Sequence, residues 1–486
     1  MLNSTLNSTA IGTRPISEQI KNYCHNVLVE HPKSVIVTEI ALLALSLATY
    51  RCTSSSALFR LAMGSAVFLG TSLAFEWNHL FREVWHGLLN RPYKPTFKPT
   101  FKEETFLGDK QEVLATMEYN NKLPIFTFSA AVTDPAQRGY IHGYMLANQI
   151  VDVGQKALRP ILAFLRWEKG EKSDADLKEK INNLVIPNEV RSELLGIVKG
   201  VEERYRVDGK KCPRDVAAYI FGVHVMTDHY KAIGSSLGCS AVVYRDGPEK
   251  APVVGRNLDW VSMGYLGRHQ FVRRYEVATQ KGNRQVNTFT FPGYIGALTA
   301  WNSNGLIVLI NELGKTSKEE GKPYSLMLKE LIEECSTVDE AMKWLSQQQQ
   351  QCPCASSVSI VLADANQAKI CHYYPEGNNH ILIKDFSDEG ILSVTNHAND
   401  NQGNVLLESI CECKSIQRLD RLHTALQAAK NELKTPVEVV EAALKGAGVA
   451  ATIGVFIADL SSQKKKILLD DFFAHKQIDM QTYLKI

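Results

Sequence analysis

The sequence predicts an α+β protein in which sheets and helices form separate layers. Residues after 238 change from a helical pattern to short β-rich segments, which are broken by the turn sequences Asp246-Gly247-Pro248 and Pro292-Gly293. Helical segments then interrupt the strands, and further strands follow them. Runs of strands, helices and strands with antiparallel turn signals indicate an α+β arrangement rather than alternating βα units.

The predicted elements follow one another in a clear order. Between residues 120 and 238 the apolar period is helical, with helices centred on 137–165, 188–201 and 214–230. Strands are predicted at 240–245, 253–256, 271–279, 286–291, 306–310, 357–363, 369–374, 380–383, 391–395, 452–459 and 465–469. Helices are predicted at 324–334, 337–347, 415–432 and 436–445.

Composition excludes several classes of function. The 486 residues suggest two or three structural units, and Lys+Arg 54 against Asp+Glu 52 gives no basic excess for nucleic acid. Ten cysteines are too few for a disulfide scaffold, and their C-x-C pairs lack the spacing of a zinc site. We therefore predict no metal, no cofactor and no nucleic-acid partner, and a catalytic domain in a reducing compartment.

The N-terminal region 1–89 contains two apolar runs, 35–50 and 61–75, which predict a helical hairpin over 35–75. Each run is shorter than the ~20 residues of a spanning helix. A buried hairpin in a soluble domain and a membrane anchor are both open, and we favour the anchor, without a cleavable signal peptide. The tandem K-P-T-F of residues 90–105 predicts an extended linker. A helical segment, 106–238, and a catalytic segment, 239–486, follow it.

A candidate reactive centre lies where the texture of the sequence changes. Gly238-Cys239 opens a strand, and the returning strand of the same hairpin ends in Arg256 and Asp259. A guanidinium beside a thiol lowers its pKa, and a carboxylate can orient an amine. From these residues alone, a buried structural cysteine and a surface Arg–Asp pair remain the alternative.

The full set of motifs resembles the N-terminal-nucleophile (Ntn) cysteine hydrolases. This group includes the choloylglycine hydrolases, the acid ceramidases and the acyltransferases that make isopenicillin-type side chains. G-C-S is followed by G-R-N-L-D, and then in order by P-G, N-S-N-G-L before Asn311, T-N-H at 395–397 and R-L-D-R at 418–421. Upstream, residues 139–143 and 193–200 resemble the helical pro-segment of the acyltransferase branch. The resemblance covers roughly residues 120–475 and implies a four-layer αββα sandwich that is preceded by a helical pro-segment.

The resemblance also implies the chemistry. Cleavage between Gly238 and Cys239 would free an α-amine, which acts as general base for the Cys239 thiol. Asp259 would hold that amine, and Arg256 would tune the thiolate. The other implied roles fall on Asn311 as an oxyanion donor, on Asn396 beside the amine or the oxyanion, and on Arg418 in support of the thiolate or Asp259.

The expected reaction is hydrolysis of a linear, possibly lipid-type, amide or transfer of its acyl group, in a self-cleaving precursor. The two chains are expected to stay associated after cleavage, and the hairpin would place the enzyme on a membrane. Two alternatives stay open at this point. One is a papain-like thiol hydrolase that uses Cys239 and His397 without self-cleavage, and the other is a non-catalytic membrane-anchored interaction protein.

Overall fold

A computed structural model describes residues 101–120, 123–158, 184–229, 238–259, 265–317, 321–375, 381–399, 405–407, 412–432, 434–448, 452–462, 464–469 and 482–485. All of them fall in one compact unit of the chain. The predicted membrane hairpin at 35–75 and most of the predicted linker lie outside these residues.

The described residues form two large antiparallel sheets and one short ribbon. The strands are β1 Glu104–Leu107, β2 Val113–Asn120, β3 Leu123–Phe128, β4 Gly238–Tyr244, β5 Val253–Asp259, β6 Phe271–Thr279, β7 Gly282–Thr290, β8 Thr299–Asn302, β9 Ile307–Ser317, β10 Ser356–Ala363, β11 Ala368–Tyr373, β12 Ile381–Lys384, β13 Ile391–Val394, β14 Ala398–Asn399, β15 Val405–Leu407, β16 Thr452–Asp459, β17 Lys464–Leu469 and β18 Thr482–Lys485. In the large sheet the order is β1-β2-β3-β6-β7-β8-β9-β10-β11-β12, and in the smaller sheet it is β13-β4-β5-β16-β17-β18. Strands β14 and β15 make the ribbon. The one parallel pairing within these sheets joins β3 to β6.

Helices lie before, between and after these strands. They are α1 Pro135–Met145, α2 Ala147–Val153, α3 Asn188–Val207, α4 Val216–His229, α5 Tyr265–Arg268, α6 Tyr324–Glu334, α7 Val338–Gln351, α8 Glu412–Asn431 and α9 Pro436–Ala447. A π-helical turn, Gly154–Leu158, follows α2. Side-chain caps fix two of the starts: Asp134 accepts from the backbone ahead of α1, and Thr435 forms a capping box with Glu438 ahead of α9.

The two sheets pack face to face. One apolar core joins Ala241 and Val254 of the smaller sheet to Val272, Leu309 and other inward residues of the large sheet. A second core fills the outer face of the smaller sheet, where Val242 and Val253 meet apolar residues of α8 and α9. The outer face of the large sheet meets α3 and α6, which contact β6 through buried polar side chains. These layers establish the α+β class and the order helix, sheet, sheet, helix.

The structure corrects the prediction of an all-helical segment before residue 238. Strands β1, β2 and β3 occupy residues that were assigned to the predicted linker and the helical segment, and β3 extends the large sheet by pairing with β6. The end of the predicted linker is packed as well, since Phe101 is buried against the ring of Phe271. These strands were missed because their partner lies far along the chain, and local periodicity carries no information about that pairing.

Among the described residues, no helix is both long and apolar enough to cross a membrane. The predicted hairpin is not among those residues.

Candidate active site

Cys239 lies at the start of β4, in the gap between the two sheets. Strands β4 and β5 pair antiparallel, with Cys239 opposite Leu258 and Gly238 opposite Asp259. Side chains alternate along a strand, and Ala241 belongs to the core between the sheets, so the Cys239 side chain points into the same gap. The residue is 2% exposed. The β-hairpin predicted around Cys239 is therefore present, as strands β4 and β5. It places the candidate nucleophile at one end of the smaller sheet.

Arg256 contacts the sulfur directly. Its Nη2 donates to Cys239 Sγ at 3.0 Å, and its Nη1 donates to Thr299 Oγ1 at 2.6 Å. Thr299 lies at the start of β8, in the opposite sheet, and is buried. The guanidinium thus bridges the gap between the sheets and is fixed at both ends.

The backbone nitrogen of Cys239 is held by a second set of groups. It donates to Asn396 Oδ1 at 2.8 Å, and Arg418 Nη2 donates to the same oxygen at 2.5 Å. Arg418 Nη1 donates to the Cys239 carbonyl at 3.1 Å and to Asp259 Oδ2 at 3.0 Å. Thr452 completes the set, because its hydroxyl donates to Asp259 Oδ1 at 2.6 Å. Two cationic side chains therefore contact Cys239, one at its sulfur and the other at its main chain.

Burial decides the protonation state of the thiol. Burial raises the pKa of the Cys239 thiol, and the opposing effect of Arg256 is smaller. Arg256 lowers the pKa of the thiol, as predicted, but the larger effect of burial leaves that pKa raised. Burial likewise raises the pKa of Asp259, against the effects of Arg418 and Thr452. A protonated thiol needs a base, and the described site holds no ionised group that contacts the sulfur and could accept its proton.

Gly238 lies in a position where a side chain would be tightly crowded. A Cβ atom there would lie 3.0 Å from Asp259 Oδ2 and 3.3 Å from Arg418 Nη1. A larger residue would push apart the ion pair that surrounds the Cys239 backbone. Packing therefore favours glycine before the thiol, as does access to its carbonyl group.

Asn311 lies near the residues around Cys239, but its hydrogen bonds go to the backbone before Asn396. Its Nδ2 donates to the carbonyls of Val394 and Thr395, both at 3.1 Å, which uses both amide protons. The adjacent carbonyl of Glu312 accepts from Asn396 Nδ2 at 2.9 Å. Asn311 thus supports the segment that carries Asn396, and no hydrogen bond joins it to Cys239 among the described residues. Its predicted role as an oxyanion donor stays a prediction.

Three residues of this network were not singled out from the sequence. Thr299 orients Arg256, and Thr452 binds Asp259. Ser415, on α8, accepts from the backbone nitrogen of Asn396 at 2.7 Å. Hydroxyl residues at strand and helix starts carry no distinctive sequence signal, and only the pairing of β16 with β5 brings Thr452 opposite Asp259.

His397 does not act on the sulfur in this arrangement. Its Nδ1 contacts Thr395 Oγ1 at 3.1 Å and Ser415 Oγ at 2.9 Å. Burial lowers its pKa to about 4. The described contacts therefore give no support to a Cys239–His397 pair of the papain kind.

The site thus consists of a buried cysteine that opens an inner strand between two helix-covered sheets, with an arginine on its sulfur. The family model of acyl-coenzyme A:6-aminopenicillanic acid acyl-transferase matches residues 246–472. Over that segment the chain is similar to this Ntn family, in agreement with the resemblance that its motifs predicted. The matched segment includes Arg256, Asp259, Asn311, Asn396 and Arg418, and begins seven residues after Cys239. Members of the group are amidohydrolases or acyltransferases.

Solved structures give weaker likenesses. The N-acylethanolamine-hydrolyzing acid amidase (NAAA) ortholog of Caenorhabditis elegans aligns over 45% of this chain and 92% of its own, with 16% identity and a TM-score of 0.33. A mutant of the conjugated bile acid hydrolase from Clostridium perfringens aligns over 47% of this chain and 89% of its own, with 11% identity and a TM-score of 0.32. No curated protein matches the chain.

Proposed function

We propose that this protein is a self-processing cysteine Ntn enzyme that cleaves a linear amide, or transfers its acyl group, through an acyl-thioester on Cys239. One observation carries the proposal. The backbone nitrogen of Cys239, which becomes an α-amine on cleavage, is held by Asn396, and Arg418 links this pair to Asp259. After cleavage the same acceptor and ion pair would hold and orient the freed amine beside the sulfur.

Maturation follows from the same atoms. Cys239 Sγ attacks the Gly238 carbonyl carbon, the C–N bond to Cys239 breaks, and the thiol proton passes to the departing nitrogen. Water then hydrolyses the thioester, which leaves a carboxylate on Gly238 and a free thiol and amine on Cys239. An α-amine has an ordinary pKa near 8, so it supplies the base that the buried thiol lacks.

Turnover repeats this chemistry on a substrate amide. The amine takes the thiol proton as Sγ attacks the substrate carbonyl, and it returns the proton to the leaving amine. Water gives hydrolysis of the acyl-thioester, whereas a second amine gives acyl transfer. The family is consistent with both outcomes.

Intact-mass measurement of the purified protein tests the proposal. We expect wild-type protein to split between Gly238 and Cys239 and the two chains to co-elute, because the buried Glu193 of the N-terminal chain binds Arg273 of the C-terminal chain. Cys239→Ala should stay one chain. Cys335→Ala is the matched control, since it removes a buried cysteine elsewhere and should leave cleavage intact. Wild-type protein that turns over amides as a single uncut chain would refute the self-processing mechanism.

A membrane location and a lipid-amide substrate form the second part of the proposal. The support is the sequence of residues 35–75, which contains two apolar runs. Salt weakens membrane binding by charged contacts, but it does not weaken binding by hydrophobic insertion. We expect full-length protein to stay on membranes through a high-salt wash and to need detergent for release. A chain that begins at Lys94 keeps the buried Phe101 and should be soluble and self-cleaving. Full-length protein that is soluble without detergent, with an aggregating truncated chain, would instead identify the hairpin as a buried core element.

A further inference from the structure

Gln270 lies at the same end of the gap between the sheets as the nucleophile. It immediately precedes β6, and Val272, two residues later, belongs to the core between the sheets. Because side chains alternate along the strand, the Gln270 side chain enters the same gap. It is 1% exposed.

The carboxamide of Gln270 is buried without a partner. Neither Oε1 nor Nε2 makes a hydrogen bond within the described residues. A buried amide that lacks hydrogen-bond partners is destabilising, which makes this group a candidate to bind an occupant of the gap. The side chain offers two donor protons and one acceptor oxygen to an occupant of the gap.

The distance from Gln270 to the thiol follows from the strand pairing. A Cβ atom on Gly454 would lie 2.8 Å from Gln270 Oε1, so the amide lies directly over this glycine. Gly454 pairs with Leu258, and Leu258 pairs with Cys239. Two strand spacings separate Gly454 from Cys239, which places the amide about 10 Å from the nucleophile along the floor of the gap.

The surface between the two groups is apolar. Leu258 lies between Cys239 and Gly454, and the Phe289 ring also borders Gly454, at 2.8 Å from the position of its missing Cβ. Both side chains are buried. An occupant that extends from the thiol therefore meets an apolar wall first and a hydrogen-bonding amide at its end.

We propose that Gln270 is a specificity-determining residue that binds a hydroxyl or carboxamide of the substrate about 10 Å from its scissile carbonyl. The proposal rests on the proposed function, because it treats the gap beside Cys239 as the substrate site. It goes further by predicting that a plain hydrocarbon arm is a poorer substrate than one with a polar group at that reach.

Paired substrates test this inference on the full chain. The two members of each pair are linear amides that differ at one carbon, about 10 Å from the scissile carbonyl. That carbon is a methylene in one member and carries a hydroxyl in the other. In one series the carbon lies in the acyl arm, and in the other series it lies in the amine arm. We expect wild-type enzyme to favour the hydroxylated member of one series at least tenfold in kcat/KM. Gln270→Met, which keeps the shape without polar atoms, should remove that preference mainly through KM. Gln367→Met is the control, since it makes the same exchange in the turn between β10 and β11.

Binding separates the two ways of failing. Uncleavable analogues of each pair, with a methylene in place of the carbonyl, are titrated against wild-type and Gln270→Met protein by calorimetry. Tighter wild-type binding of the hydroxylated analogue, lost in Gln270→Met, supports the inference whether or not the amides are turned over. Equal affinity and equal kcat/KM within both series would overturn the inference. The Gln270 amide would then be a group that binds water rather than substrate. Absence of both chain cleavage and turnover would count against the proposed function alone.

Discussion

At the scale of the residue, the site depends on how each polar group around Cys239 is held. Arg256 reaches the sulfur because Thr299 fixes its other nitrogen, and both residues are buried. Burial raises the pKa of the Cys239 thiol, and Arg256 makes the largest contribution in the opposite direction. The hydroxyl of Thr299 thus positions Arg256 against the Cys239 sulfur without contacting the sulfur itself.

Substitution of Thr299 should alter the chemistry more than the fold. Thr299→Val keeps the shape but removes the acceptor of Arg256, so we expect kcat/KM to fall about tenfold, equivalent to ~1.4 kcal/mol. The pH at which activity rises should move upward, because Arg256 favours the thiolate less when it is not fixed. Thr299→Ser restores the acceptor and should recover most of both effects. An unchanged pH–rate profile in Thr299→Val would show that Thr299 has only a packing role.

At the scale of the element, α1 and α3 cross at unusually close range. Cβ atoms on Gly139 and Gly143 would lie 2.0 Å and 2.1 Å from backbone oxygens of α3. From the other helix, Cβ atoms on Gly196 and Gly200 would lie 2.3 Å and 2.1 Å from backbone oxygens of α1. The small-residue spacing visible in the sequence therefore marks a helix crossing in which the backbones themselves are in contact.

The crossing predicts a position-specific effect of alanine. Gly196→Ala must separate the two helices, and we expect it to destabilise the protein by ~1–3 kcal/mol. Gly222→Ala, in α4, is the matched control, because a Cβ there would have no atom of the described residues within 4 Å. That change should be neutral or stabilising by up to about 1 kcal/mol, since alanine is the better helix former. Urea unfolding of both variants measures the difference, and equal stabilities would contradict the close crossing.

At the scale of the whole molecule, two neutral histidines join the N-terminal helices to the catalytic segment. Backbone N–H groups of Gly293 and Ile295 donate to Nε2 of His142 at 3.1 Å and of His224 at 2.9 Å. Burial lowers the pKa of His142 to about 3 and that of His224 to about 4. Both imidazoles must stay unprotonated to accept these bonds.

This arrangement predicts a loss of stability in mild acid. Between pH 6.5 and about 4 the unfolded chain protonates these histidines while the folded chain does not, so the free energy of unfolding falls as the pH falls. The raised pKa of Asp259 acts in the opposite direction. We expect a lower urea midpoint at pH 5 than at pH 7.5, and a smaller pH dependence in His224→Gln, which keeps an acceptor that does not titrate. Equal or greater stability at pH 5 would contradict the neutral histidines.

The sequence by itself indicated the candidate nucleophile, its β-hairpin and the resemblance to the Ntn cysteine hydrolases. Cys239, Arg256 and Asp259 lie on one β-hairpin, and local turn signals predict that hairpin, so their proximity follows from the order of the residues. Helices such as Tyr324–Glu334 and strands such as Phe271–Thr279 were predicted with the bounds that the structure has. In these elements the local pattern and the tertiary environment favour the same conformation.

Tertiary structure decided the groups that complete the site. Asn396 and Arg418 reach Cys239 across more than 150 residues of sequence, and Thr299 meets Arg256 across the gap between the sheets. The place of β1, β2 and β3 in the large sheet and the net rise in the thiol pKa depend on the same packing. Local sequence encodes torsional preference and periodicity, whereas strand pairing, burial and the competition between desolvation and charge exist only once distant segments are in contact.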